Sequence, residues 1–337
     1  MSVPTTRAAE EIDSLITTTW YSVLGETQDQ IFKITPFLNK LLEDGRIRER
    51  VPSGTHWEVP VRYAKLDQNI KAFTRGDTFS LAEKEHLTRL IWYPKNVGTS
   101  MTRYWSDEVQ NTGPAKLLDY VEELVDNTRL SLLDYFETSL LNDKSATDPN
   151  NIHGLDSLIS TTPSTGTLGG KNRANNSWMV NQTNNMTGVS FATTGVDRMV
   201  QMWNNCSQFK GMGPSRSPNL IICDKGTHEK IESATESSRT YFSSLPNGNE
   251  RANLGFGNLT FKGAELFWAP ECPAETMFFL NTGSMEFRIH PGFWMTMTDW
   301  KPIAGNSLDR TAQVVCRCNL IANHFQNQGV IYNINTA

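Results

Sequence analysis

The stretch that most limits what this chain can become is residues 114 to 141, which run from Pro114 to Leu141 with no glycine and no second proline. Gly113-Pro114 is a favourable opening, because proline at the first helical position gives up only an N–H that no helix would use. Leu118, Val121, Val125, Thr128, Leu132 and Tyr135 recur at intervals of three and four, and Leu117, Leu124, Phe136 and Leu140 widen the stripe. The spacing predicts one long amphipathic helix with a broad apolar face. At ~1.5 Å per residue it spans roughly 40 Å, about the width of a small domain. Such a helix can serve as a strut. A core helix of any ordinary domain shows the same pattern, so its meaning depends on the segments around it.

A chain of 337 residues is long enough for two domains, or for one domain with extensions. With 38% hydrophobic and 10% aromatic residues it is not a mainly disordered protein. The net charge is −5 and no run of Lys or Arg occurs, which excludes gripping nucleic acid by its phosphates. A weakly acidic wall beside DNA is compatible with that balance, because it repels a polyanion and lets it slide. The amino terminus lacks the basic-then-apolar layout of a secretion signal, and no apolar run approaches the ~18 residues of a membrane span. The expectation is a soluble, cytoplasmic product with no membrane partner.

Chemistry-bearing motifs are missing. The histidines (His56, His86, His153, His228, His290 and His324) show no metal-ligand spacing, and Cys316-Arg317-Cys318 has no second pair to complete a zinc site. The five cysteines, Cys206, Cys223, Cys272, Cys316 and Cys318, are odd in number and sit mostly in apolar runs, so buried reduced thiols are expected. Gly211-Met212-Gly213-Pro214 begins like a nucleotide loop, but no GK[ST] follows. No GxSxG, HExxH or DxDxDG is present. The expectation is therefore no enzyme, with no catalytic, cofactor-binding or metal residues.

Taken in order, residues 1–54 carry a helical pattern at Ile12, Leu15, Ile16, Thr19, Trp20 and Val23, then a second at Ile31, Ile34, Phe37, Leu38, Leu41 and Leu42. Such an arm has too little area to fold alone and must lie on something, its own domain or another. In 55–63, Trp57, Val59, Val61 and Tyr63 alternate with His56, Glu58, Pro60 and Arg62, the period of a strand with one apolar face. Pro60 points to an edge. A second strand is predicted at 87–93, after a charged stretch with its turn at Gly76-Asp77. A loop of that length is uncommon without a task, so 55–105 reads as a long two-stranded flap that leans on another surface.

Beyond the strut, 161–190 is rich in Thr, Ser, Gly and Asn and reads as a surface excursion and a boundary. The second half reads as α+β. Thr194-Gly195-Val196-Asp197 resembles a capping box ahead of a helix with Val196, Met199, Val200, Trp203 and Cys206 on one face. A buried strand at 220–223, a helix over 224–238, and strands at 259–262, 264–268, 277–281, 285–290 and 312–321 follow.

This order of arm, edge hairpin, unbroken strut and α+β domain resembles the major capsid proteins of tailed bacteriophages, whose fold also occurs in encapsulins. Trp57-Glu58-Val59-Pro60-Val61 and Leu90-Ile91-Trp92 carry the likeness for the extended loop, and Asn111-Thr112-Gly113-Pro114 for the entry to the spine helix. Asn219 to Asp224, Gly263 to Trp268 and Phe278-Phe279-Leu280-Asn281 carry it for the second domain. The resemblance implies an α+β phage major capsid fold: arm 1–54, extended loop 55–105, peripheral domain with the spine helix 106–190, axial domain 191–300, and a returning C-terminal strand in 301–337. It implies a subunit that assembles with itself into hexamers and pentamers of an icosahedral head, enclosing DNA without sequence-specific binding. A portal protein and a separate scaffolding protein are implied as partners, and the virion as location, after the host cytoplasm. Lys65, Lys71 and Lys84 could lie in the loop, but nothing identifies an Asn partner, so no cross-link is expected.

Flap and arm residues that cannot be buried within one subunit become interface candidates: Trp57, Val59, Val61, Tyr63, Phe73, Phe79, Leu90 and Trp92 in the flap, and Ile12, Leu15 and Trp20 in the arm. Two other classes stay open. One is an encapsulin-like compartment around a cargo enzyme. The other is a soluble enzyme with its site in 161–190.

Overall fold

The computed structural model describes residues 36–52, 54–65, 67–79, 83–106, 114–142, 145, 148–208, 217–236 and 259–334. Ile12, Leu15 and Trp20 of the arm lie outside the described residues. The strut is present as α2 (Pro114–Leu141), 28 residues long. Its side chains are described from Leu124 onward.

From there the buried face holds Val125, Leu132, Leu133, Phe136, Leu140 and Leu141, with Arg129 and Glu137 among them. Thr128 and Tyr135, expected at the centre of the stripe, are only half-buried, so the face is turned toward Leu133 and Glu137. Both are spent on hydrogen bonds at its margin: the Thr128 hydroxyl donates to the Leu124 carbonyl, and the Tyr135 hydroxyl to Asn151 Oδ1 at 2.8 Å.

The surface α2 lies on is a sheet organised by β15 (Asn306–Ala322), 17 residues long. On one side it pairs antiparallel with β4 (Lys95–Arg103), from Lys95 opposite Cys318 to Arg103 opposite Arg310. On the other it pairs in turn with β12 (Met285–Ile289), β13 (Thr296–Met297) and β14 (Lys301–Ile303). The short β1 (Ile47–Glu49) adds parallel to β12. Phe136 joins helix to sheet. It is fully buried, with Trp294 at 5.4 Å and Phe287 of β12 at 6.3 Å between ring centroids.

A second sheet runs in the order β7 (Gln182–Asn185), β16 (Gly329–Tyr332), β11 (Met277–Leu280), β8 (Leu220–Cys223), β10 (Ala264–Trp268) and β9 (Leu259–Phe261). Every residue of its central strands β8 and β11 is buried, which is why both read as unbroken apolar runs. Helices α4 (Phe191–Ser207) and α5 (Lys225–Glu236) pack on this sheet and on each other. Asp224 caps α5: its carboxylate accepts from the Thr227 N–H and hydroxyl.

Several expectations need correction. Residues 95–103 form a nine-residue strand, and Gly329–Tyr332 forms another, neither of which the sequence suggested. The expected strand at 285–290 joins the sheet of β4 and β15, where it pairs antiparallel with the expected C-terminal strand. Helix α4 begins at Phe191, ahead of the supposed capping box, and the Thr194 hydroxyl donates back to the Ser190 carbonyl. A Cβ on Gly195 would stand 2.6 Å from the Phe191 ring, so that glycine lets the buried ring fold over its own helix. Val196, expected on the apolar face, is exposed.

The stretch 161–190 is no loose excursion. Leu168, Arg173, Met179, Asn181 and Met186 are all buried. The Arg173 guanidinium donates to the Ser157 and Leu158 carbonyls at 3.1 and 2.6 Å and lies over the Phe325 ring at 5.6 Å. Those carbonyls end the short helix α3 (Leu155–Leu158), where a helix presents unpaired acceptors to a cation. Burial pulls the Arg173 guanidinium down to about 10, still charged at neutral pH.

Phe136→Ala should lower unfolding free energy by about 3–5 kcal/mol in denaturant titration, and Phe136→Leu by less than about 1.5 kcal/mol. Equal small effects from both would show that the ring does not join helix and sheet.

Candidate assembly surface

An isolated two-stranded ribbon is marginal in water, so the flap must be anchored somewhere. Strands β2 (Trp57–Arg62) and β3 (Leu87–Trp92) pair antiparallel, setting Trp57 opposite Trp92 and Val59 opposite Leu90. These four side chains share one face and are between 0% and 6% exposed. They were expected at a subunit boundary. Instead they fill the core of their own chain, while Val61 and Tyr63 are half-buried.

What covers them is the stretch read as a surface excursion. Strands β5 (Thr167–Leu168) and β6 (Lys171–Asn172) form a hairpin turned by Gly169-Gly170, both at positive φ. The Ile91 N–H donates to the Gly169 carbonyl at 2.9 Å, which continues the flap's ladder into the hairpin. A Cβ on Gly169 would come within 3.0 Å of Leu90 Cδ2, so this glycine allows backbone and flap to close up. Tyr63 packs against Trp178 at 6.3 Å, and Trp92 stands edge-on to His153 at 5.6 Å.

A buried asparagine on β15 completes the anchorage. Asn319 Nδ2 donates to the Tyr93 carbonyl at 2.8 Å, and its Oδ1 accepts from the His153 N–H at 3.0 Å. The opposite face of the ribbon is charged: Arg89 reaches Glu58 at 3.3 Å and His56 reaches it at 3.1 Å. The His56 hydrogen bond, with Arg89 behind it, holds the Glu58 carboxyl below the usual range.

The outer part of the flap is different. Ile70, Phe73 and Phe79 are 81%, 65% and 52% exposed. The two rings lie edge-to-face at 5.0 Å, beside a turn in which the Asp77 carboxylate accepts from the Thr74 N–H and Gly76 takes φ +96°. Two ion pairs lie near them, Lys71 with Asp77 at 3.5 Å and Lys84 with Asp67 at 3.3 Å. The tip thus presents a small apolar knob beside two ion pairs and Arg75. Of the expected interface residues described, Phe73 and Phe79 are the ones left bare.

A second junction is formed by α1 (Pro36–Glu43), whose Phe37, Leu38 and Leu41 are fully buried. Its first N–H groups are received by Glu137 of α2. At its other end Lys40 meets Glu265 of β10 at 2.7 Å, and Asp44 accepts from the Asn219 amide and the Thr282 hydroxyl. So α1 ties the strut to the second sheet. The sequence did hold a signal for Glu137 and Arg129, charges placed at helical spacing among Val125, Leu132, Leu133 and Phe136.

All five cysteines are free and buried, as their apolar runs suggested. Burial pushes the Cys206 thiol up to about 12 and the Cys316 thiol to about 11, so neither is a nucleophile at neutral pH. Among the described residues no group of three His, Cys, Asp or Glu could hold a metal ion, and no helix is long and apolar enough to cross a membrane.

No protein-family model and no curated protein matches the sequence. Solved structures do match in fold. The capsid asymmetric unit of cyanophage A-1(L) aligns with 89% of this chain and 93% of its own, at 16% identity and a TM-score of 0.65. The SrpI encapsulin complex of Synechococcus elongatus aligns over 88% of each chain at 11% identity, with a TM-score of 0.54. A protein of Mycobacterium phage Bobi aligns with 86% of this chain and 88% of its own, at 10% identity and a TM-score of 0.53. The chain has the α+β fold of phage capsid proteins, which encapsulin shares.

Gly169→Val should strain the positive-φ turn and push Leu90 away. Limited trypsin digestion should then cut the flap several-fold faster than in the wild type, with about 2–3 kcal/mol lost in stability. Unchanged digestion and stability would mean the hairpin does not seat the flap.

Proposed function

We propose that this chain is the structural subunit of a closed protein shell, a phage-type head assembled from hexamers and pentamers of itself around double-stranded DNA. The observation that carries it is the divided flap: a root locked into its own chain, and a tip holding Ile70, Phe73 and Phe79 in water. Covering one such side chain is worth about 1.5–3 kcal/mol. A neighbouring copy is the natural cover, because repeating the contact around a ring closes it without any free edge. Each contact is small, and the sum over many copies holds the shell.

The balance of charge suits the contents. At net −5 and without a basic run, the wall encloses a polyanion without binding it. On this reading the portal and a separate scaffolding protein are the other partners, and the mature location is the virion. The fold likeness to the SrpI encapsulin supports a second reading, a compartment around protein cargo. The particle's contents separate the two. Encapsidated nucleic acid favours the head, and a co-purifying enzyme favours the compartment.

Phe73→Ser combined with Phe79→Ser should leave a folded subunit with a melting temperature within about 2 °C of the wild type, since surface changes cost little. Sedimentation and electron microscopy should find wild-type particles and few or none from the double variant. Normal particles from that variant would remove the tip from assembly.

A further inference from the structure

Helix α1 begins at Pro36, which has no N–H, so the first donors to be satisfied are those of Phe37 and Leu38. A side chain just before the helix ordinarily accepts them. Here the acceptor comes from a different element: Glu137 Oε1 takes the Phe37 N–H at 3.1 Å and Oε2 takes the Leu38 N–H at 3.3 Å. Glu137 is 4% exposed, and Phe37 and Leu38 are fully buried beside it.

Among the described residues no cation pairs with that carboxylate. Lys40 of α1 is turned to Glu265, Asp44 and Glu43. Among the described residues, the charged groups that act on Glu137 are both negative: Glu271 on the segment after β10 and Asp134 on its own helix. Two N–H groups at a helix start favour the ionised form. Lost hydration and the like charges disfavour it more, and burial pushes the carboxyl up to about 7.

We propose that Glu137 is a proton-operated latch on the arm: its protonated carboxyl holds α1 against α2, and its ionised form lets the start of α1 work loose. The neutral acid still has a carbonyl oxygen for one N–H, and it carries no buried charge. When α1 lifts away, the carboxyl meets water and regains its ordinary acidity. The docked state therefore takes up a proton. Docking is strongest below the ordinary value of 4.5, weakens as pH rises toward about 7, and is constant above that. What loosens is the end from which residues 1–35 lead, because Asp44 and Lys40 hold the other end to the second sheet.

The latch does not rest on the shell reading, and its test works on the full chain in any assembly state. Hydrogen–deuterium exchange of the peptide spanning 36–43 would be followed from pH 5 to 9, corrected for the intrinsic pH dependence of exchange. Protection should fall by up to roughly tenfold per pH unit up to about pH 7 and then level off. In Glu137→Gln the fall should vanish. In Glu271→Gln and Asp134→Asn, which remove the repelling charges, the fall should end at lower pH. A pH-independent wild type, or a slope unchanged in Glu137→Gln, overturns the latch. Should Glu137→Gln fail to fold by circular dichroism, the other two variants decide: a wild-type slope that neither moves contradicts it.

Discussion

A two-stranded ribbon cannot stand alone in water, and that constraint organises this molecule. The flap exists because Trp57, Val59, Leu90 and Trp92 are driven into a seat made by the Gly169-Gly170 hairpin, Trp178 and His153. The seat in turn needs Arg173 to fasten the hairpin to α3, and Asn319 to fasten the flap's exit to β15. Once the root is rigid, the tip can hold Phe73 and Phe79 away from the body without collapsing onto it. A floppy flap would bury those rings at home; an anchored one keeps them exposed.

Much of this was legible from residue spacing. The helix over 114–141, the alternation in 57–63, and the apolar runs at 220–223 and 277–280 each carry a period or composition that one element alone satisfies. What escaped was set by long-range partners. Lys95–Arg103 reads as a polar link, and becomes a strand only because β15 lies beside it for nine pairs. The stretch 161–190 looks like solvent-exposed texture because its packing is done by glycines, an arginine, an asparagine and the scattered Leu168, Met179 and Met186 rather than by an apolar stripe. The alternation puts the flap residues on one face, but nothing local could show that a segment some 80 residues on would cover it.

The same logic explains two buried ionisable side chains, one acidic and one basic. Glu137 and Arg173 each sit where a helix end leaves main-chain groups unpaired, and each serves a terminus that its own helix cannot cap. They join elements far apart in sequence: Glu137 links α1 to the strut, and Arg173 links the hairpin to α3 and the ring of Phe325. Such groups set the geometry between layers, where an apolar contact would allow sliding. On the proposed reading, that definition sets the angles at which identical copies would meet.

The central claim is that the exposed tip is completed by a second copy of the chain. Its most direct measurement is hydroxyl-radical footprinting of Phe73 and Phe79 in the purified full-length protein, with sedimentation recorded on the same samples over a rising concentration series. Large particles should appear, and both rings should become protected together as they form. A chain that assembles with both rings still as reactive as in the single subunit, or that stays a single copy at every concentration, would contradict it.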